Sequence, residues 1–239
     1  MDVTILMPMG GLGKRFQDEG YTTPKPMIDV DGMPMFLRAL ESFPTNWNID
    51  HAFVIRKEQE ELYNLRSLIE NVCPKGKVAI LDHNTRGPTE TCFAAESLID
   101  PNKPIIIADC DIRFHSQEYV SFIESESFDG VLVGFDSTDP RYSYAELDST
   151  GRVLRTAEKN PISNHALLGG YYFSSANLFF QLAHRFVDSE LPAHLKEYFL
   201  SHLYNLLLSQ GGTIAFANTD YFDCWGTPEE LIAYQRAAR

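Results

Sequence analysis

The chain has 239 residues, 44% of them apolar and 22% charged, and its 20 basic against 33 acidic side chains give a formal net charge of −13. That length can bury a sizeable core, while the acidic balance argues against nucleic acid, a polyanion that is bound through cationic patches. No apolar run approaches the roughly 20 residues of a membrane span, and four scattered cysteines without a C-x-x-C pair predict a reducing, cytoplasmic setting with no zinc site. Val3 to Met9 (VTILMPM) then reads as a buried strand, followed by a loop with three glycines. Residues 34–43 and 58–72 carry apolar side chains at helical spacing, with Leu62, Leu65 and Ile69 on one stripe; 51–56 between them reads as a strand. Further strands are expected over 77–82, 104–109 and 130–135, and helices over 89–99 and 116–125. This alternation predicts an α/β protein with a mostly parallel sheet flanked by helices. The texture then changes. The segments YSYAELD and RVLRTAEK flank the turn signal STG and predict a hairpin; a glycine-interrupted strand, HALLGGYYF, follows. Helices are expected around 175–186 and 194–209, then the strand TIAFAN. At the end come a strand, a turn and a terminal helix whose Thr227 and Glu230 form a T-x-x-E capping box. Repeats and Pro/Ser-rich linkers are absent, so residues 1–239 are expected to form one domain.

Three stretches carry the chemistry. The first is the glycine loop (Gly10, Gly11, Gly13) with Lys14, Arg15 and Lys25 beyond it. A dinucleotide fingerprint would need glycine where Phe16 stands, and a P-loop would need Ser or Thr where Arg15 stands. The loop therefore reads equally as a phosphate cradle and as a structural turn. Lys25 lies between Pro24 and Pro26, whose fixed φ angles stiffen the backbone around it. That arrangement suits a charge clamp on a phosphate as well as it suits a surface turn. The second stretch is IIIADCDIRF, where Asp109 and Asp111 leave a strand two residues apart and so on one side. They would share a cation or simply form a turn. The third is YFDCWGTPEEL, where Asp223 ends a short strand before a capped helix.

The opening MGGLGKRF…TTPKPMIDVDGMPM resembles that of the sugar-phosphate nucleotidyltransferases, the nucleoside-diphosphate-sugar pyrophosphorylases, at Gly10, Gly11, Gly13, Arg15, Pro24 and Lys25. Lys14 departs from the usual Ser or Thr. The later motifs follow in the family's order along nearly the whole chain. The resemblance implies a Rossmann-like (GT-A-like) fold and a Mg²⁺-dependent enzyme that joins a nucleoside triphosphate (CTP, UTP or dTTP) to a phosphorylated sugar or alcohol and releases pyrophosphate. It implies Arg15, Lys25, Asp111 and Asp223 as catalytic, with Asp111 and Asp223 holding the metal. Cys224 and Trp225 lengthen the usual D-x-G spacing before Gly226 by one residue. Gly10, Gly11, Gly13, Lys14, Gly87 and Asp109 would contact the nucleotide. Glu158, Lys159 and Gly169, in a segment resembling the family's E-K-P and glycine strand with Asn160 inserted, would contact the acceptor. Thr89 and Glu90, beside Gly87, are placed to read a base edge, Thr89 equally to cap the following helix. Three other readings stay in view: a cytidylyltransferase for a phospho-alcohol such as phosphocholine, a metal-dependent glycosyltransferase using D-x-D, and a non-catalytic nucleotide-sugar sensor. A homo-oligomer is left open.

Overall fold

Successive residues of the first apolar run bury themselves on opposite sides of a sheet, and that alternation organises the molecule. The structure, a computed structural model, describes residues 1–193 and 195–237. In β1 (Asp2–Pro8) Leu6 joins one apolar cluster, whereas Val3, Ile5 and Met7 join another on the opposite face. A strand covered on both faces needs near-continuous apolar sequence, as this one has. After α1 (Lys14–Asp18) and the short ribbon of β2 (Asp29–Val30) and β3 (Met33–Pro34), α2 (Met35–Leu40) packs Phe36 on the second face. Next come β4 (Asn48–Arg56), α3 (Lys57–Tyr63), α4 (Leu65–Val72), β5 (Lys77–Leu81) and α5 (Pro88–Thr91), the last running into a 3₁₀ segment, Cys92–Leu98.

The helix expected over 58–72 is broken in two. Asn64 adopts a left-handed φ of 49°, closing α3 and opening α4. Leu65 and Ile69 are buried as the stripe requires, but Leu62 is 75% exposed on the far side of the break. The helix expected over 89–99 is likewise one α turn followed by 3₁₀ turns.

The central strands follow: β6 (Ile105–Ala108), β7 (Ile112–His115), α6 (Gln117–Glu124) and β8 (Gly130–Asp136). The expected hairpin is β9 (Ser143–Leu147) with β10 (Val153–Glu158). The glycine strand is β11 (His165–Phe173), and it leads into α7 (Ala176–Val187). Residue 194, where the next helix was expected to begin, lies outside the described residues; α8 occupies Ser201–Ser209. β12 (Ile214–Asn218), β13 (Tyr221–Cys224) and α9 (Pro228–Ala237) complete the chain.

The large sheet runs β10-β9-β11-β6-β1-β4-β5, with β8 on β11 and β12 on β8. Its β6-β1-β4-β5 half is parallel, and β11 joins it antiparallel, so the sheet is mixed. Helices cover both faces, α7 and α8 on one, α2, α4 and α6 on the other. Parallel β1, β4, β5 and β6 all deliver their C-terminal ends to one edge, the usual place for ligand chemistry in open α/β sheets. A third, smaller core joins the two ends of the sequence there: Phe16, Ile28, Val30 and Met35 pack with Trp225 and Leu231.

Candidate active site

The glycine loop leaves β1 beside the residues that leave β6, because Leu6 pairs with Ile107 in parallel register. Gly13 caps α1 with φ 63°, and Lys14 and Arg15 stand exposed on that single turn. Arg15 lies near the start of α9, where its charge reaches Glu229. The proline-fenced segment folds as a 3₁₀ turn, Lys25–Met27, which swings Lys25 inward. The Lys25 ammonium forms an ion pair with Asp111 across 86 residues of sequence, and it donates to the Gly226 carbonyl at 3.3 Å. Burial alone lowers the pKa of that ammonium, but Asp111, with Cys110 and Asp109 nearby, more than offsets it and pushes it up. The reading of Lys25 as a solvated surface lysine is thereby excluded.

Asp109 stands against β11. Its N–H donates to Gly169 O at 3.0 Å, and a Cβ on Gly169 would come within 2.3 Å of Asp109 Oδ2. Glycine is the residue that lets this carboxylate sit there. Burial, then the charges of Asp111 and Glu158, push Asp109 up to about 7, with Lys25 pulling the other way. Asp109 and Asp111 are thus neighbouring carboxylates, with the Lys25 ammonium paired to Asp111 and its charge reaching Asp109. A hard divalent cation, which takes one or two carboxylates along with substrate oxygens, fits that donor pair.

Asp223 is placed differently. On β13 it lies opposite Arg113 of β7 and accepts from Arg113 Nη2 at 2.6 Å and Nε at 3.0 Å; Glu41 takes the third bond at 2.9 Å. Its neighbour Cys224 faces Asp111 instead. A Cβ on Gly226 would meet Asp111 Oδ2 at 3.3 Å and Cys224 Sγ at 3.7 Å. Burial first, then Asp111, push the Cys224 thiol up to about 12. The extra residue in the D-x-G spacing therefore has a physical expression: alternation along β13 sends Asp223 to Arg113 and Cys224 to the site. Among the described residues no three His, Cys, Asp or Glu side chains converge as a ready-made metal cage.

Around the glycine loop the structure adds a residue that sequence reasoning passed over. Arg56, at the end of β4, donates to Gly10 O at 3.4 Å and Asn84 Oδ1 at 3.1 Å, with Glu58 against it at 3.2 Å. It ties the glycine loop to the loop after β5. A cavity of about 230 Å³ opens beside it, lined by Leu12, Lys25, Gln59, Leu62 and Tyr63. The signal in sequence was a lone arginine ending an apolar strand. Gly87 is required by close approach: φ is 147°, and a Cβ would lie 2.6 Å from Tyr198 N. Gly87, not Thr89, occupies the cap position of α5. Thr89 is fully buried within the helix with its hydroxyl unpartnered, so the capping role expected for it is not the one observed. Glu90 is paired to Arg86 at 2.8 Å.

On the other side of Asp109 lie the expected acceptor residues. Glu158 ends β10 and accepts hydrogen bonds from the hydroxyls of Ser143 and Ser201, the latter at 2.9 Å. Burial pushes Glu158 up, while both hydroxyls and Lys159 pull it down. Lys159 adopts φ 52° and places its ammonium 4.6 Å from the centre of the Phe199 ring. The structure thus gathers Lys25, Asp109, Asp111, Gly169 and Glu158. It pairs Asp223 with Arg113, sets Lys159 over Phe199, and leaves Lys14 and Arg15 exposed on α1.

The sequence profile of the Nucleotidyl transferase family matches residues 3–236. The chain belongs to that family. Among curated relatives it is 26% identical over 184 residues to the mannose-1-phosphate guanylyltransferase catalytic subunit beta of Danio rerio, covering 72% of this chain and 50% of that one. It is 24% identical over 164 residues to the 2-C-methyl-D-erythritol 4-phosphate cytidylyltransferase of Fusobacterium nucleatum, covering 66% and 67%. The chain spans about half the length of the guanylyltransferases it matches. In fold it is similar to the nucleoside-diphosphate-sugar pyrophosphorylase of Vibrio cholerae RC9, with TM-score 0.84, 24% identity and 97% and 99% of the two chains covered. It is also similar to the inositol-1-phosphate CTP transferase of T. maritima, with TM-score 0.75, 14% identity and 99% and 94% covered. These likenesses establish the mixed α/β nucleotidyltransferase fold. Among the described residues no helix is long and apolar enough to cross a membrane.

Proposed function

We propose that this nucleotidyltransferase-family chain transfers a nucleoside monophosphate from a nucleoside triphosphate to a sugar phosphate, releasing pyrophosphate. The observation that carries the reading is the Lys25–Asp111 pair, set where the glycine loop leaves β1 and the acidic turn leaves β6. Backbone N–H groups of Gly10 to Gly13 approach the triphosphate, and Arg15 neutralises the departing pyrophosphate. Lys25, released from Asp111 as phosphate enters, steadies the reacting phosphoryl group. The acceptor's phosphate oxygen attacks the α-phosphorus in line, and no covalent enzyme intermediate is required. Glu158 and Lys159 hold the acceptor, and the strand of Gly169 lies against it. Asp111 would hold Mg²⁺, with Asp109 the nearer second carboxylate; Asp223 joins only by leaving Arg113. The ion supplies charge neutralisation at the phosphate oxygens.

The test is pyrophosphate release with Mg²⁺, each common nucleoside triphosphate, and pooled sugar phosphates and phospho-alcohols. Release dependent on one triphosphate, one acceptor and the metal is expected. Nucleotide binding without release on any acceptor would instead support a sensor, and absence of binding would end the reading. Release with phosphocholine as the preferred acceptor would favour the phospho-alcohol alternative.

A further inference from the structure

Glu158 is held in an asymmetric way. Both of its hydroxyl partners donate to the same oxygen, Oε2. Among the described residues nothing donates to Oε1. The two hydroxyls come from distant parts of the sequence: Ser143 lies directly opposite Glu158 across the β9–β10 ladder, and Ser201 opens α8. Neither partner is free to drift. Ser143 is fixed by strand register, and the start of α8 is sewn to β10 around Thr156. The Thr156 hydroxyl donates to Ser201 O at 2.6 Å; its backbone N–H donates to Asn205 Oδ1 at 2.8 Å, and Asn205 Nδ2 returns a bond to Thr156 O at 2.9 Å. The Asn205 amide thus pairs with the exposed edge of the sheet as another strand would. Ser201 is buried in this seam.

A serine hydroxyl has one proton to give. Both serines spend it on Oε2, which anchors the carboxylate at one oxygen and leaves Oε1, among the described residues, without a donor. We propose that Ser143 and Ser201 are positioning residues that turn Glu158 into a one-oxygen acceptor, selecting phosphorylated substrates that carry hydroxyl donors. The inference rests on the acceptor-site reading of Glu158 above. A quaternary ammonium has no O–H or N–H; it is bound by diffuse charge and aromatic faces and gains nothing from a fixed lone-pair direction. A sugar or polyol phosphate gains a directed hydrogen bond to a charged group, the stronger kind. Removal of a site's directed polar contact is what discriminates such ligands most sharply.

The test is direct binding, which does not depend on turnover. Glucose 1-phosphate, inositol 1-phosphate and phosphocholine are titrated calorimetrically onto the wild-type chain, Ser143→Ala, Ser201→Ala, the double variant and Ser143→Thr. At least one hydroxyl-bearing phosphate is expected to bind the wild type tenfold or more tightly than phosphocholine. The double variant is expected to lose about tenfold of that affinity, and Ser143→Thr, which keeps the hydroxyl, to retain it. Thermal melting identifies any variant that fails to fold, and the half-buried Ser143 pair of variants, Ala against Thr, decides the matter if Ser201→Ala does. Tighter phosphocholine binding, a Ser143→Thr loss equal to that of Ser143→Ala, unchanged affinity in folded Ala variants, or no phosphate binding at all would each overturn the proposal. Pyrophosphate release separates the two readings: binding that follows the serines without any release sinks the transferase reading and leaves the positioning role standing.

Discussion

The two sides of the site solve opposite charge problems. On the glycine-loop side, buried cations wait on protein carboxylates: Lys25 on Asp111, and Arg56 on Glu58. On the acceptor side, among the described residues, carboxylates wait without a cation in contact. Asp109 and Glu158 are held by backbone geometry and serine hydroxyls, and burial pushes both up. A chain with net charge −13 can bind a polyanion locally only if its few cations are kept in place, and an exchangeable carboxylate does this at low cost. The hydroxyl-rich part of a sugar phosphate needs the reverse, a fixed and incompletely neutralised hydrogen-bond acceptor. Ion pairs mark one side and hydroxyl-held carboxylates the other.

The sharpest way to break this comparison sets Asp111 against Asp223, two aspartates on adjoining segments with different partners. Asp111→Asn and Lys25→Ala are expected to lower kcat by about 10³-fold, the scale of losing a preorganised charge at a reacting phosphate. Asp223→Asn is expected to cost less than tenfold in rate but to lower the Tm by about 3 °C, because Arg113 keeps Glu41 and the longer contact to Tyr234 but loses the carboxylate that accepts two of its N–H bonds. Steady-state pyrophosphate release and thermal melting check both. A rate loss in Asp223→Asn equal to that in Asp111→Asn would show that Asp223 leaves Arg113 in the working complex.

A smaller effect probes the acceptor side through pH. Burial, then Asp111, push the Asp109 carboxyl up to about 7, well above an ordinary aspartate, while Lys25 offsets part of that. A folded-state pKa above the unfolded one means that the native state binds the extra proton. Stability therefore falls as pH rises from about 4 to about 7, and the penalty is fully present above 7. Asp109→Asn removes it. Without divalent metal, the variant is expected to melt about 5 °C above wild type at pH 8 and to match it near pH 4. An equal gain at both pH values would show that the benefit is packing rather than charge.

How much of this was legible in the sequence follows from what is local. The strands at 51–56, 104–109 and 130–135 were readable because both sheet faces are buried there, which favours a nearly continuous apolar run, whereas 77–82, at the sheet edge with Ile80 exposed, was readable from its short apolar run alone. Lys25 and Asp111 were readable as candidates from motif resemblance, though nothing in the sequence says that they touch. The break at Asn64 was not readable, since the apolar spacing of 58–72 is compatible with one helix and a single left-handed residue overrides it. Which of Asp223 and Cys224 faces the site depends on the β7–β13 register, a pairing across 110 residues. The convergence of Ser143 and Ser201 on one oxygen of Glu158 is non-local in the same sense, spanning 15 and 43 residues.

The smallest expected effect tests whether the glycine-loop side depends on the end of the chain. Thr227 and Glu230 cap α9 reciprocally, Thr227 N–H to Glu230 at 3.0 Å and Glu230 N–H to the Thr227 hydroxyl at 3.3 Å. Losing such a cap costs about 1 kcal/mol, or about 2–4 °C in Tm for a chain of this size. The residue before the cap, Gly226, offers its carbonyl to Lys25, but at 3.3 Å that contact is secondary to the Asp111 ion pair. Thr227→Ala is therefore expected to lower Tm by that amount while kcat stays within twofold. If kcat instead falls tenfold or more, Lys25 takes its position from the start of α9 as well as from Asp111. The small core of Phe16, Trp225 and Leu231 would then be part of the clamp rather than its support.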